Sequence, residues 1–298
     1  MTAYPWLWIV FTVIAAAAQT VRNAMQRELT GTLGTLGATH VRFLFGFPFA
    51  LIFLATLMLW TGAPLPHTGW AFWLWVLEGS GAQIAATALM LVAMGERSFV
   101  VTIAYLKTEP IQVAIFGLIF LGDAVTLWMM VAIVVATAGV VVMSTKPGGM
   151  VGGVRPTLMG LISGGMFALS AIGYRGAILS LGLSNYIMAA TFTLAVGLVA
   201  TTVMLSLYLV LRSPGVMTAI AKAWRRSMFA GFMGAFASQF WFLGFSLTSA
   251  ANVRTLALIE VLFAQLAARF AFGQRTTLRE AIGMVLVVAG VVLLILAY

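Results

Sequence analysis

The sequence has no cysteine and only two histidines among its 298 residues. The first absence excludes disulfides, thiol nucleophiles, Fe–S clusters and thiolate metal centres, and two isolated histidines are a poor basis for a metal site. Charge is scarce as well. Only 8% of the residues are charged, against about 25% in a soluble domain, so the chain cannot cover a water-facing surface. No GxxxxGK[ST] phosphate loop is present, and no stretch is left over for a cytosolic catalytic or nucleotide-binding domain, which excludes a self-contained ATP-driven pump. What the chain has is 62% hydrophobic residues and a mean hydropathy of +1.09. This is the composition of a membrane protein. The net charge of +9 is then a statement about topology and not about a nucleic-acid partner.

A bilayer core needs about 20 apolar residues per helix. Cutting at polar and Gly/Pro punctuation gives ten such runs, near 5–28, 38–61, 68–95, 98–120, 125–145, 156–181, 185–211, 226–248, 251–272 and 277–297. They are too long, and alternate too little, for a transmembrane β-barrel. No basic segment precedes the first run, so residues 5–28 are expected to remain as a helix. Arg27, Arg97, Lys146, Arg155, Arg212, Lys222, Arg225, Arg226, Arg275 and Arg279 all flank connections that follow odd-numbered runs. The positive-inside rule makes those connections cytoplasmic and puts both termini outside. Trp6, Trp8, Trp60, Trp70, Trp73, Trp75 and Trp128 gather at the outer ends as an interfacial belt.

A shift of 151 positions aligns the two halves of the chain without a gap. Pro5 falls on Pro156, Gly46 on Gly197, Glu109 on Glu260, Gly122 on Gly273, and Ala138-Gly139-Val140-Val141 on Ala289-Gly290-Val291-Val292. From Ser98 to Val142, ten of 45 positions are identical. Composition alone supplies some of these, but not a paired Glu in a chain with seven acids. The halves, 5–145 and 156–297, hold five runs each. Five is odd, so the second half must enter the membrane upside down. The expected fold is an all-α polytopic membrane protein with ten transmembrane helices as two inverted five-helix repeats. Inverted repeats are a signature of secondary transporters, whose substrate sites lie near the midplane between the repeats.

Glu109-Pro110 leads to Leu121-Gly122-Asp123, and Glu260 leads to Phe272-Gly273-Gln274; each is followed by a last run carrying Ala-Gly-Val-Val. On these residues the chain resembles the drug/metabolite transporter superfamily, in particular its ten-helix EamA type. Asp123 and Gln274 stand where that family commonly has Glu, and Val261 where the second Pro would be. Within the superfamily it is most similar to the YddG-type bacterial exporters of aromatic and other neutral amino acids. The resemblance implies an inner-membrane location and alternating access. It also implies a central cavity lined by runs one, three, four, six, eight and nine.

Ionisable residues at membrane depth are functional candidates by default. Lys107 and Glu78 lie about ten residues into their runs, and neither has a charged counterpart under the shift. A zwitterion could place its ammonium on Glu78 and its carboxylate on Lys107, or the two could form a salt bridge with each other. Glu109 and Glu260 are counterparts inside the family motif and read first as helix braces. Arg175 and Arg254 lie toward outer helix ends, where they line a vestibule or snorkel to the interface. Thr12, Gln19, Asn23 and Gln26 share one face of the first run, and the shift carries the first three onto Ser163, Ser170 and Tyr174. That shared face points to the cavity or to interhelical hydrogen bonds. Gln83 and Gln239 are candidates of the same kind, and Trp241 and Tyr105 could stack on an apolar substrate. Pro48 and Pro110, placed mid-run, are candidate hinges.

These features favour export of a neutral or aromatic amino acid. A multidrug or other metabolite transporter of the same architecture is the alternative. The first run holds no midspan acid, only Glu28 at its cytoplasmic end, which disfavours proton–cation drug exchange. His40 and His67 fall at opposite faces of the membrane and provide no catalytic constellation, so an enzyme is not expected. The expected partners are a small-molecule substrate and the lipid bilayer, with no cofactor and no metal. A monomer satisfies the pattern.

Overall fold

A computed structural model of the protein describes residues 5–96, 106–144, 154–263, 265 and 277–298. Every element in them is a helix. These are α1 (Leu7–Leu44), α2 (Phe47–Thr61), α3 (Trp70–Glu96), α4 (Glu109–Phe116, prolonged by a π turn over Gly117–Leu121), α5 (Leu127–Ser144) and α6 (Val154–Ser180). Then come α7 (Tyr186–Arg212), α8 (Pro214–Lys222), α9 (Trp224–Leu247), α10 (Ala250–Leu256, passing into a 3-10 turn over Ala257–Ile259) and α11 (Leu278–Ala297). Six stretches among the described residues are long and apolar enough to cross a membrane, and three shorter apolar helices accompany them. Leu59, Trp60 and Leu296 are about four-fifths exposed or more, at 87%, 88% and 79%. Such a surface suits lipid and not water.

Expected boundaries and observed ones differ in instructive places. Runs one and two are not separated by a loop. Helical hydrogen bonding continues through α1, and only Gly34, with φ 67° and ψ 177°, leaves the helical region. The chain nevertheless doubles back there, because the Gln26 side chain donates to the Ala38 carbonyl at 3.0 Å. Twelve residues of straight helix would separate those residues by about 18 Å. Only glycine adopts that φ without strain. Run four is broken: Lys107 and Thr108 form a turn, and α4 restarts at Glu109. Pro110 lies in the first turn of α4, and Pro48 in the first turn of α2, which restarts after Phe45–Gly46. Neither proline therefore removes an interior helix bond; each occupies a position where its missing N–H is not needed. The connection after run seven carries a helix of its own, α8, opened by Pro214.

Three pairings dominate the packing: α1 with α9, α3 with α6, and α5 with α11. The 151-residue shift carries the first arm of α1 onto α6 and α3 onto α9, so the first two pairings are counterparts. In the third, Gly139 and Gly290 let backbones touch. A Cβ on Gly139 would come within 2.7 Å of the Gly283 carbonyl oxygen, and one on Gly290 within 2.6 Å of the Ala136 backbone nitrogen. Trp8 is a correction to the interfacial belt. It is fully buried and packs on Tyr298, ring centroids 5.2 Å apart. The contact puts the start of α1 and the end of α11 at one end of the molecule. Trp6, Trp60, Trp70, Trp73 and Trp128 are exposed.

Candidate functional site

Helical spacing gathers the site. On α1, Gln19, Arg22 and Asn23 follow at i, i+3 and i+4; on α9, Ser238, Trp241, Phe242 and Phe245 follow at i, i+3, i+4 and i+7. Gln83 and Met90 on α3, and Phe167 and Tyr174 on α6, are each seven apart and line the same space. The two broken helices contribute Leu106, Lys107 and Glu109 on one side and Arg254 and Glu260 on the other. These elements are runs one, three, four, six, eight and nine, with Arg42 added from run two. The cavity between them offers about 50 Å³ to the centres of water molecules. That is room for a few waters and too little for an organic solute.

Two ion pairs cross this cavity. Lys107 pairs with Glu260. The same carboxylate accepts from Gln19 Nε2 at 3.0 Å, while Gln19 Oε1 accepts from Trp241 Nε1 at 3.1 Å. Arg254 Nε lies 3.1 Å from Glu109 Oε1, but its N–H is not aligned with that oxygen, so the contact is one of charge and not a directed hydrogen bond. The Arg254 guanidinium stacks over the Trp241 ring at 4.8 Å and over Phe245 at 5.4 Å. Lys107 is therefore joined to Glu260 and not to Glu78. Arg254 belongs to the centre of the molecule and not to an outer helix end.

The remaining candidates divide. Asn23 Oδ1 accepts from Arg22 Nε at 3.2 Å and Nη2 at 2.7 Å. Gln83 Oε1 accepts from Ser170 Oγ at 3.1 Å, which puts Ser170 behind Gln83 as its support. The Tyr174 hydroxyl meets Ser80 Oγ at 3.3 Å, and its ring packs on Phe242 with centroids 4.7 Å apart. Thr12, Gln26 and Ser163, from the same polar stripes, instead bond to the carbonyls of Trp8, Ala38 and Ala86. Each stripe thus supplies both cavity lining and helix-to-helix bonds. Glu78 lies outside the cavity, on the α3–α6 contact against Gly173, with Oε2 unpaired. Gln239 also lies outside, donating to Thr191 Oγ1 at 2.8 Å. Tyr105 falls outside the described residues.

Arg175 is neither a vestibule residue nor an interfacial anchor. Its Nη2 and Nε donate to Asp123 at 3.1 and 3.3 Å, and its Nη1 donates to the Phe245 carbonyl at 2.6 Å and to that of Thr248. It clamps the Leu-Gly-Asp motif to the end of α9, so the aspartate has a definite structural partner. Pro48 is absent from the cavity wall, and Pro110 stands next to it through Glu109.

Among the lining residues that escaped the sequence reading, two are charged. Arg22 and Arg42 are buried, 3% and 7% exposed, and both face the cavity. Arg22 was legible in principle, since it follows Gln19 by three residues and precedes Gln26 by four, on the edge of the polar stripe. Arg42 belongs to no polar stripe on its run, and the turn of the chain at Gly34 brings that segment back against α1.

Fold and site together define an all-helical, multi-pass membrane protein with a charged, aromatic-lined cavity at its centre. Residues 156–296 match the profile of the EamA-like transporter family, a stretch just short of half the chain. It coincides with the second of the two halves related by the 151-residue shift. A crystal structure of a protein 16% identical to this chain superposes with a TM-score of 0.72, over 97% of this chain and 96% of its own. At that identity the likeness is one of fold. No curated protein matches the sequence.

Proposed function

We propose that the chain is a secondary transporter of the EamA type, moving a small organic solute across the bacterial inner membrane by alternating access. In this reading ten spans form two inverted repeats, 5–145 and 156–297, and both termini face the periplasm. The observation that carries it is the crossed pairing at the cavity. Glu109 and Glu260 are counterparts 151 residues apart, and each is held by a cation from the other half. A site built jointly by two halves at broken helices is the arrangement expected where repeats rock against each other. The narrow cavity agrees, since a solute can enter only if the halves part. The matching of α1–α9 with α3–α6 supports the inverted repeat independently.

Export of neutral and aromatic amino acids is the substrate class the sequence resemblance suggests. The aromatic wall of Phe167, Tyr174, Trp241, Phe242 and Phe245 suits an aromatic or apolar body. Proton–cation drug exchange is disfavoured, because both cavity carboxylates are already paired with cations. The test is counterflow in proteoliposomes loaded with unlabelled phenylalanine, methionine, threonine, a cationic dye or a sugar. Saturable exchange of labelled amino acid with no ATP supports the proposal. Exchange of dye or sugar alone would replace the substrate class, and non-saturable leakage of all solutes would make the protein a channel.

A further inference from the structure

Four cations and two carboxylates face the cavity: Arg22, Arg42, Lys107 and Arg254 against Glu109 and Glu260. The carboxylates are taken by Lys107 and Arg254. Among the described residues no carboxylate pairs with Arg22 or Arg42. Asn23 Oδ1 occupies Nε and Nη2 of Arg22, but Arg22 Nη1, Arg42 Nε and Arg42 Nη1 are buried without any acceptor. The two side chains lie together over Gly234 of α9. A Cβ at that position would meet Arg42 Cγ at 3.3 Å and Arg22 Cδ at 3.6 Å. A buried guanidinium N–H with no acceptor carries its full desolvation cost, and a second unpaired cation beside it adds repulsion. No scaffold role requires two such groups side by side.

We infer that Arg22 and Arg42 form an anion clamp that receives the carboxylate or phosphate of the transported solute. Guanidinium forks match planar oxyanions in bidentate geometry, and the aromatic wall beside them takes the solute's apolar body. A free ammonium finds no unpaired carboxylate on the cavity wall. The clamp therefore favours organic anions over zwitterions of the same shape, and zwitterions over cations. The inference deepens the transporter reading and rests on it only for the role of the clamp in transport; the charge preference of the cavity is a property of binding.

Three probes with one phenyl ring and different charge test it: 3-phenylpropionate, L-phenylalanine and 2-phenylethylamine. Thermal unfolding of the full-length protein in detergent is the readout. The anion should raise Tm most, phenylalanine less, and the amine not at all. Arg22→Gln and Arg42→Gln should each weaken the anion's apparent affinity at least tenfold, with Arg42→Lys recovering part of it. A second measurement guards against loss of fold. Without ligand, Arg42→Met should raise Tm, since it removes an unpaired buried charge; a merely structural arginine would give a fall. Equal stabilisation by all three probes, anion stabilisation that survives the double Arg22→Gln/Arg42→Gln change, or no stabilisation by the anion would overturn the clamp. Counterflow separates the two readings. Binding with the expected charge order but no exchange keeps the clamp and removes the transporter; equal exchange of all three solutes keeps the transporter and removes the clamp.

Discussion

Glu109 and Glu260 occupy the same position in their halves, and the ion pair that each forms reaches across to the other half. Lys107 stands two residues from Glu109 and reaches Glu260; Arg254 stands six residues from Glu260 and reaches Glu109. The side chains of all four are about nine-tenths buried, so the pairs are not screened as surface pairs are. Breaking a buried pair from one side leaves a lone charge and costs about 3–5 kcal/mol, while replacing both partners by apolar groups is often neutral. Lys107→Met and Glu260→Met are accordingly expected each to lower Tm sharply. The double variant should recover much of that loss but should not exchange solute, because the tie between halves and the charge pattern of the cavity are gone. Thermal unfolding and counterflow on the same preparations check both parts. Additive losses in the double variant would mean that the two residues do not act as a pair.

At the scale of elements, the helices were legible because hydropathy marks them: apolar runs twenty residues long admit no other structure in a bilayer. Their interruptions were legible only in part. The break between residues 28 and 38 was expected as a loop, but helical hydrogen bonding runs on through it and the chain turns back at one glycine, Gly34. Run nine passes into a 3-10 turn over Ala257–Ile259 with no proline, no glycine and no fall in hydropathy. The same blindness hid the site. Lys107 stands at the break before α4 and Arg254 in the short helix before the 3-10 turn, and their pairing across the halves does not follow from position along a run. Lys107, Asn23, Gln19 and Trp241 were legible as polar or aromatic residues deep in a run, but their partners came from folding. Glycine pairing is the exception. Gly139 and Gly290 are counterparts in the sequence, and they mark the α5–α11 contact. Gly290→Leu puts a branched side chain where a bare Cβ already meets Ala136 at 2.6 Å. The expected result is loss of monodisperse protein on size-exclusion chromatography, since backbone cannot yield as a side chain tip would. Gly69→Ala, in open space on a connection, should leave the elution profile unchanged. A normal profile for Gly290→Leu would show that α5 and α11 are not in backbone contact.

Over the whole molecule, the proposed orientation in the membrane rests on two independent observations. The Trp8–Tyr298 contact brings the first and last helices to one end, and the basic residues Arg212, Lys222 and Arg225 cluster around α8 after an odd-numbered run. Under the proposed topology the positive-inside rule puts α8 on the cytoplasmic side and the end with Trp8, Tyr298 and the α2–α3 connection outside. The missing cysteines turn this into a clean measurement, because a wild-type chain gives no thiol background. His67→Cys lies at an exposed position on the connection after α2, and Gly215→Cys on the exposed face of α8, where a new Cβ meets nothing within 4 Å. In intact bacterial cells a membrane-impermeant maleimide should label the thiol at position 67 and not the one at 215. Permeabilisation should make 215 reactive and leave 67 unchanged. The opposite pattern would invert the molecule. Labelling of both in intact cells would mean that the chain between them crosses the membrane an even number of times, which would overturn the five spans proposed for runs three to seven.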